Sequence, residues 1–379
     1  MGPSLLSRRD FLGVAVAGAA YPWVAAQRTA PVVSVVKIKD NNTQAAVEQA
    51  IDLLGGIESV TRGKARIMLK PNLVAPLPQA TTKREVVAAL AKLMQAANKD
   101  VSIGEGSAAA EGFNAKGMEV FRTRNSDLLS RMQAYVFDQL GYSELSKTLR
   151  VPLVNLHSGE MAQIKVPNGF VFDEVSIHRS LVETDLLCSV PMMKTHTLAQ
   201  VTLGMKNLVG VFPGTVYCSV RGCMHDRASQ VEPSGVAAAV VDMVRANKLG
   251  LVVVDASMAM QGEGPALGTP VDMGLIIAGT NPLATDMVSA SLMGFAPEEV
   301  PTFTWANRAG MTPARLDEIE VRGEKLEGVR RRFVRPNVHT WRSIRDYWGV
   351  KEISKGVFGI PVVQRRAAAD GARTQGGYS

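Results

Sequence analysis

Cysteine is scarce in this sequence, and its placement limits the kind of cofactor that the chain can hold. Only three cysteines occur among 379 residues. They form neither the C-x2-C-x2-C-x3-C run of an iron–sulfur protein nor the C-x-x-C-H motif of covalent haem attachment. Cys188 lies in an apolar run, whereas Cys218 and Cys223 share a glycine-rich stretch. An oxidising compartment would join Cys218 to Cys223, and free thiols or metal ligation are the alternatives.

Long apolar runs and nucleic-acid-binding motifs are also absent after the first 30 residues. The apolar stretches at 249–254 and 273–279 have the length of strands, whereas a membrane-spanning helix needs about 20 apolar residues. Hydrophobic residues make up 46% and charged residues 20% of the chain, which is typical of a globular protein. The net charge of +7 is concentrated at 330–335 and 365–366. These clusters indicate either a solvated basic edge or a surface that meets phosphate or anionic lipid.

The first residues resemble an export signal. Arg8 and Arg9 stand before an apolar pair, and a short uncharged run at 14–20 leads to small residues that end at Ala26. This order is typical of a twin-arginine signal peptide over 1–26, with a Sec signal or a retained anchor as alternatives. We therefore predict the twin-arginine export machinery as a partner and the periplasm as the location. Because that route carries folded proteins, it also suggests a bound cofactor.

Short apolar segments alternate with amphipathic ones along the rest of the chain. Over 83–98, apolar residues recur at the spacing of one helix face. Ser126 and Gly141 suit the N-cap and the C-terminal stop of a helix over 127–140. Further helices are predicted over 235–247 and 283–293, and strands over 32–38, 65–69, 101–103, 151–156, 186–190, 249–254 and 274–278.

This alternation predicts the fold class. Apolar strands between helices are typical of a sheet that is covered on both faces. We therefore predict an α/β fold over 27–300, with a mostly parallel sheet flanked by helices. An irregular C-terminal extension follows over 301–379, and its tail is predicted to be partly disordered.

Polar residues follow four of the predicted strands. The carboxyl ends of parallel strands meet at one edge of a sheet, where ligands bind. We therefore expect one pocket at this edge, with a flexible flap around Glu263. The polar residues that follow the strands are Lys70, Asn72, Glu105, Lys194, His196 and Asp255.

The segment from Lys194 to Asp226 is the richest in reactive side chains. Imidazoles bind metals or transfer protons, and a lysine confined in a pocket can lose its proton and act as a nucleophile. Lysines near one another also lower the energy of a bound anion. The histidines outside this segment, His157, His178 and His339, are interpreted as ordinary surface residues.

Several short motifs resemble the family catalogued as domain of unknown function 362. They are Lys70-Pro71-Asn72, Lys194-Thr195-His196, Lys206-Asn207 with Gly210, and Ala278-Gly279 followed by Ala284-x-Asp286. The resemblance covers about residues 65–295. Several members of that family carry ferredoxin-type cysteine clusters, which this chain lacks, and the acidic residue usual near position 281 is replaced by Asn281.

The stretch from His196 to His225 is more distantly similar to the N-terminal domain of lactate racemase. In that family a histidine precedes by ten residues a lysine that is bonded to a nickel-pincer nucleotide, and a histidine twelve residues after a proline binds the nickel. The spacings from His196 to Lys206 and from Pro213 to His225 match, while the gap between Lys206 and Pro213 is three residues longer. The resemblance implies Lys206 as the cofactor attachment, His225 as the metal ligand and His196 as an acid or base.

These observations predict an exported enzyme of the oxidoreductase or isomerase type that acts on a small anionic substrate. Its cofactor would be a metal or a covalently attached nickel-pincer-type nucleotide. A non-catalytic periplasmic protein for metal binding, ligand binding or maturation is the alternative, and a redox protein that uses its cysteine pair is a third. The predicted residues are Lys206, His196 and Lys194 for catalysis, Lys70, Asn72, Glu105, Asn207, Asp255 and Glu263 for ligand binding, and His225 for metal.

Overall fold

Strands and helices alternate along the chain. The computed structural model describes residues 30–117, 119–347 and 351–352, so the predicted signal peptide and the predicted disordered tail lie outside the described residues. The strands are β1 (Val32–Lys37), β2 (Arg66–Pro71), β3 (Asp100–Glu105), β4 (Ala115–Lys116), β5 (Glu119–Arg122), β6 (Leu153–Asn155), β7 (Met161–Lys165), β8 (Glu174–His178), β9 (Leu186–Val190), β10 (Met192–His196), β11 (Gln200–Thr202), β12 (Leu249–Gln261), β13 (Thr269–Gly279), β14 (Glu320–Gly323) and β15 (Lys351–Glu352). The helices are α1 (Thr43–Asp52), α2 (Ile57–Val60), α3 (Arg84–Ala96), α4 (Ser126–Gln139), α5 (Tyr142–Leu149), α6 (Arg179–Glu183), α7 (Gly214–Tyr217), α8 (Gly222–Ala228), α9 (Gly235–Ala246), α10 (Pro282–Leu292), α11 (Pro301–Arg308), α12 (Leu326–Val329) and α13 (Trp341–Tyr347).

Ten of these strands form one sheet. Eight follow the order β14-β1-β13-β12-β9-β2-β3-β6, and β10 and β11 join through β12. Most neighbours are parallel, while β13 is antiparallel to both β1 and β12. The prediction of a mostly parallel α/β sheet flanked by helices is confirmed.

Apolar side chains cover both faces of this sheet. Along β2, Met68 packs into one hydrophobic cluster, whereas Ile67 and Leu69 pack into the other. The first cluster includes side chains of α9, α10 and α11, and the second includes side chains of α1, α3 and α4. A strand that is buried on both faces has no polar alternation, which explains the apolar runs in the sequence.

Some predicted boundaries are wrong. Helix α4 begins at Ser126 because the side chain of Asn125 accepts the amide of Leu128 at 2.9 Å, so the N-cap is Asn125. Strand β12 ends at Gln261 rather than at 254, and its register shifts between Ala256 and Met258. Asp255 and Ser257 interrupt the apolar run after Val254, so the apolar pattern does not detect the second half of the strand.

The chain after residue 300 continues to pack on the sheet. Strand β14 pairs in parallel with β1 and forms the edge of the sheet. Further on, the carbonyl of Val334 accepts the amide of Gly262 at 3.0 Å. Within the described part of the chain, none of the helices combines the length and the hydropathy that crossing a bilayer requires.

Candidate functional site

A buried ion pair lies where β2 and β3 end. The Nζ of Lys70 is 2.8 Å from the Oε1 of Glu105, and the side chains are 0% and 2% exposed. Glu105 also accepts the amides of Gly106 and Leu73, at 2.7 and 2.8 Å. Burial lowers the pKa of Lys70, although the neighbouring carboxylate opposes the shift. The predicted convergence of these two strand ends is therefore present in the structure.

Asn207 connects this pair to the neighbouring strand. Its side-chain amide donates to the carbonyl of Lys70 and to the hydroxyl of Ser189, both at 3.0 Å. Its Oδ1 accepts Lys70 Nζ at 3.0 Å and the side-chain amide of Asn72 at 3.2 Å. The Oδ1 of Asn72 is buried and has no hydrogen-bond partner among the described residues. This oxygen is an unused polar atom at the edge of the network.

Gly210 allows the turn over Lys206–Val211 to approach the ion pair. A Cβ atom at this position would collide with Glu105 Oε1 and Lys70 Nζ. Only glycine permits such a close approach of the backbone. The glycine in the motif thus has a steric role in forming the site.

Two more lysines are buried without an acidic partner. Lys194 lies on β10, rather than in a loop after the strand, and its Nζ donates to the carbonyls of Ala80 and Pro265 at 2.7 and 3.0 Å. Lys206 is 7% exposed, and its Nζ makes no hydrogen bond or ion pair with any described residue. Burial lowers the pKa of each to about 7, and the positive charges of Lys206 on Lys194, and of Arg221 on Lys206, add to the effect. Each amine is therefore largely free of its proton above neutral pH.

Arg221 is a central residue that the sequence analysis missed. It is 2% exposed, and its guanidinium donates to the carbonyls of Ser107, Val209 and Gly210 at 3.2, 3.1 and 2.9 Å, and to that of Gly106. Burial lowers its pKa to about 10, so it stays charged at neutral pH. We use the term cationic cluster for the four buried basic side chains Lys70, Lys194, Lys206 and Arg221.

A disulfide encloses Arg221 in its loop. Cys218 and Cys223 are joined, which excludes the alternatives of free thiols and metal ligation in this structure. Cys218, Val220 and Arg221 all have a positive φ, a backbone conformation that such side chains rarely adopt. By closing a short loop, the disulfide stabilises this backbone. An arginine between two paired cysteines was the sequence signal that could have identified the residue.

His196 lies on β10 beside the lysines and is neutral. Its Nδ1 accepts the amide of Leu198 at 3.0 Å. Burial, and then the positive charges of Lys206 and Lys194, hold its pKa well below the usual range. A neutral imidazole whose Nδ1 accepts a hydrogen bond has its proton on Nε2, and this Nε2–H can donate to a ligand.

His225 is the second neutral imidazole of the site. Its ring stacks on Trp341 with 4.5 Å between ring centroids, and its buried Nδ1 has no hydrogen-bond partner among the described residues. Burial, followed by the charges of Lys206 and Arg221, lowers its pKa to about 3. No group of three or more His, Cys, Asp or Glu side chains converges as a metal site in the described chain. His225 is therefore not part of a larger set of such side chains among the described residues.

Asp255 and Glu263 have structural partners. Asp255 is fully buried and accepts the amide of Lys83 at 2.7 Å, together with the amide and hydroxyl of Ser257 at 3.1 and 2.6 Å. Glu263 accepts the backbone and side-chain amides of Asn337 at 3.1 and 2.8 Å. Asp255 thus holds the start of α3, and Glu263 holds the C-terminal segment. Their predicted contact with a ligand stays a prediction.

Two other buried groups support the site. Asp286 accepts the amides of Gly204 and Met205 at 2.7 and 2.8 Å, which fixes the turn before Lys206, and burial raises its pKa to about 7. His157 is completely buried, and its ring lies 2.7 Å from the carbonyl of Ser107.

The interpretation of His157 as a surface residue is therefore wrong, because a loop packs it beneath the site. His178 is half-buried and caps α6, and the side chain of His339 is exposed, with its backbone amide donating to Thr197.

Comparisons with known proteins identify the family. A family model described as a domain of unknown function (DUF362) matches residues 67–291. A thylakoid-associated protein of Synechocystis sp. is 25% identical over 325 residues, which cover 85% of this chain and 87% of the relative. The matched range contains the whole cationic cluster.

Two solved structures are similar to part of this chain. The lactate racemase apoprotein from Thermoanaerobacterium thermosaccharolyticum is 15% identical with a TM-score of 0.41, covering 70% of this chain and 57% of that one. A protein from Thermotoga maritima is 12% identical with a TM-score of 0.35, covering 63% and 56%. This chain therefore spans less than two thirds of either structure. Because the family model matches more than half of its residues, the chain belongs to the DUF362 family.

Proposed function

We propose that this protein is an enzyme that binds a small anionic ligand at the cationic cluster and uses the amine of Lys206 as a reacting group. The observation that carries the proposal is the state of that amine. It is buried, its pKa is about 7, and it makes no hydrogen bond with any described residue. An amine held in this state is a nucleophile at neutral pH, and no structural contact accounts for it.

The charge balance of the cluster supports an anionic ligand. Four basic side chains are buried there, and Glu105 is the carboxylate that forms an ion pair within the cluster. Buried positive charge without a counter-ion is destabilising. A bound anion supplies the missing charge, and an anion that does not react with Lys206 would return protons to Lys194 and Lys206. The unpartnered Oδ1 of Asn72 adds an acceptor for a ligand hydroxyl or amide.

The neutral imidazoles support a catalytic rather than a purely binding role. His196 lies close enough to Lys206 and Lys194 for their charges to lower its pKa. A neutral imidazole that has an Nε2–H, beside amines that stabilise negative charge, suits the donation of a proton next to the anionic group of a ligand. This is the chemistry of an isomerase or of an oxidoreductase that acts on a small acid.

A covalently held metal-bearing nucleotide, which the spacing shared with lactate racemase implies, fits the residues present. The free amine of Lys206 would be its attachment, and the unpartnered nitrogen of His225 would be a ligand to its metal. When bound, such a group would supply an electrophilic centre. The chain itself would bind the anionic substrate through its lysines and hold a proton at His196.

The proposal is tested by the mass and metal content of the mature protein from its native host. We expect a covalent adduct or a bound metal on the natural chain, and neither on the Lys206→Ala variant. Lys92→Ala, which removes an exposed lysine, should keep both. If the natural chain has its bare mature mass and no metal, the covalent cofactor is excluded, and the anion-binding site must be tested by titration.

We also propose that the twin-arginine route exports the chain to the periplasm. Arg8 and Arg9 precede the apolar run of the signal. The disulfide between Cys218 and Cys223 supports this location, because disulfides persist in oxidising compartments.

Replacing both Arg8 and Arg9 by lysine is expected to keep the full-length precursor in the cytoplasm with reduced cysteines. The natural chain should reach the periplasm, begin at Gln27 and contain a closed disulfide. Cell fractionation with peptide mass spectrometry measures all three. Arg62→Lys with Arg66→Lys is the matched control. Equal export of the Arg8/Arg9 double variant would show that the Sec route carries the protein.

A further inference from the structure

Three exposed side chains distinguish one side of the molecule. Among the described residues, the large hydrophobic side chains that are exposed are Leu267, Val334 and Val338, at 55%, 59% and 58%. All three belong to two segments, the loop at 261–268 and the irregular segment at 330–345. Apolar side chains held in water usually mark a binding surface when they occur together.

Hydrogen bonds join the two segments into one surface. The amide of Gly262 donates to the carbonyl of Val334 at 3.0 Å, and the amide of Val334 donates to the side chain of Gln261 at 2.9 Å. The side chain of Asn337 donates to Glu263 at 2.8 Å. We use the term basic face for the surface formed by 261–268 and 330–345.

Arginines are frequent in the same segment as two of these apolar side chains. Arg330, Arg331, Arg332 and Arg342 are exposed, and their side chains make no ion pair with any described residue. Arg335 and Arg345 differ, because Arg335 pairs with Glu299 at 3.0 Å and Arg345 pairs with Asp226 at 3.7 Å. The basic face therefore contains four exposed, unpaired positive charges and three exposed aliphatic side chains.

We propose that the basic face docks on the surface of an anionic lipid bilayer. Aliphatic tips enter the boundary between headgroups and acyl chains, while guanidinium groups remain at the level of the lipid phosphates. Each basic residue near an anionic membrane surface strengthens the attachment. Three aliphatic tips are too few for the core of a stable protein interface, which uses roughly 20–30 residues on each side.

The basic face also contacts the cationic cluster at Lys194. The carbonyl of Pro265 accepts Lys194 Nζ at 3.0 Å, and the carbonyl of Gly262 accepts the hydroxyl of Thr195 at 2.8 Å. Docking through this loop would bring the candidate site close to the membrane surface. The inference depends on exposure and charge, so it does not require the proposed function to be correct.

Vesicle flotation of the full mature chain tests the docking. We expect the protein to float with vesicles of phosphatidylcholine that contain phosphatidylglycerol, and not with phosphatidylcholine alone. High salt should reduce the bound fraction, because ions screen the attraction. Substituting Arg330, Arg331 and Arg332 by glutamine should lower the partition coefficient roughly 100-fold. Substituting Leu267, Val334 and Val338 by serine should lower it by at least about tenfold.

A matched variant controls for net charge. Glutamine at Arg62, Lys64 and Arg66 removes three exposed positive charges near the opposite ends of the strands, and it should keep the binding. If this variant loses as much vesicle binding as the variant at Arg330, Arg331 and Arg332, the proposal is overturned, because attachment would then follow net charge alone. Binding to heparin without binding to any vesicle would also overturn it, in favour of a soluble polyanion. The melting temperature of each variant confirms that it is folded.

Discussion

Replacing Glu105 by glutamine is expected to lower the free energy of unfolding by about 3–5 kcal/mol, since breaking a buried ion pair leaves an uncompensated charge. The partner is Lys70, which is fully buried and 2.8 Å away. Glutamine keeps the shape of the side chain but not the charge. The loss should be larger at pH 6 than at pH 9, because Lys70 escapes the penalty by losing its proton at high pH. Urea unfolding of the natural chain and the variant at both pH values measures this loss of stability.

Two further variants determine whether burial causes this effect. Glu105→Gln combined with Lys70→Met removes both charges and should recover much of the lost stability, as is typical when both partners of a buried pair are replaced. Asp317→Asn removes the carboxylate of an exposed pair with Arg315, at 2.9 Å, and should leave the unfolding midpoint nearly unchanged. If Glu105→Gln is as mild as Asp317→Asn, the buried pair does not form.

Sulfate is expected to bind the cationic cluster and to bind more weakly as the pH rises from 7 to 9. In the free protein the pKa of both Lys194 and Lys206 is about 7. A bound anion favours the protonated amines and raises both pKa values, so binding takes up protons above pH 7. For each proton that binding takes up, the affinity for sulfate falls about tenfold per unit of rising pH. Below pH 7 the amines are already charged, and the affinity should level off.

Calorimetric titration in buffers of different ionisation enthalpy measures the number of protons taken up. Sulfate keeps a constant charge over this pH range, so the protein alone supplies the pH dependence. Lys206→Met should reduce the uptake by about one proton at pH 8, while Lys92→Met should leave it unchanged. A pH-independent affinity would show that the lysines do not meet the anion.

Local pattern was enough to predict much of the fold. Strand β9 has the bounds that its apolar run predicts, 186–190, because a strand buried on both faces is mostly apolar. The end of strand β12 was predicted too early, because polar residues interrupt the apolar pattern in its second half. That half is a strand because it pairs with β13. The hairpin of β7 and β8 was not predicted, since its half-buried residues show little contrast.

Some residues of the site were likewise predicted from the sequence, and others were found only in the structure. Lys70 and Glu105 were predicted at one edge because parallel strands place their carboxyl ends together. Asn207 lies 137 residues after Lys70 in the chain, and the contact between them exists only in the folded protein. Arg221 and His157 were missed because their burial depends on loops packing over them, which no short pattern encodes.

By itself, the sequence determined the α/β class, the edge of the sheet where polar residues gather, and the membership in the DUF362 family that the family model confirms. These properties follow from periodicity and from short motifs, which are local. Only the tertiary structure decided which cations share one buried site, which amines lose their protons, and that Asp255 and Glu263 support neighbouring segments. The reason is that burial and charge proximity, which set a pKa, arise from contacts between residues far apart in the chain.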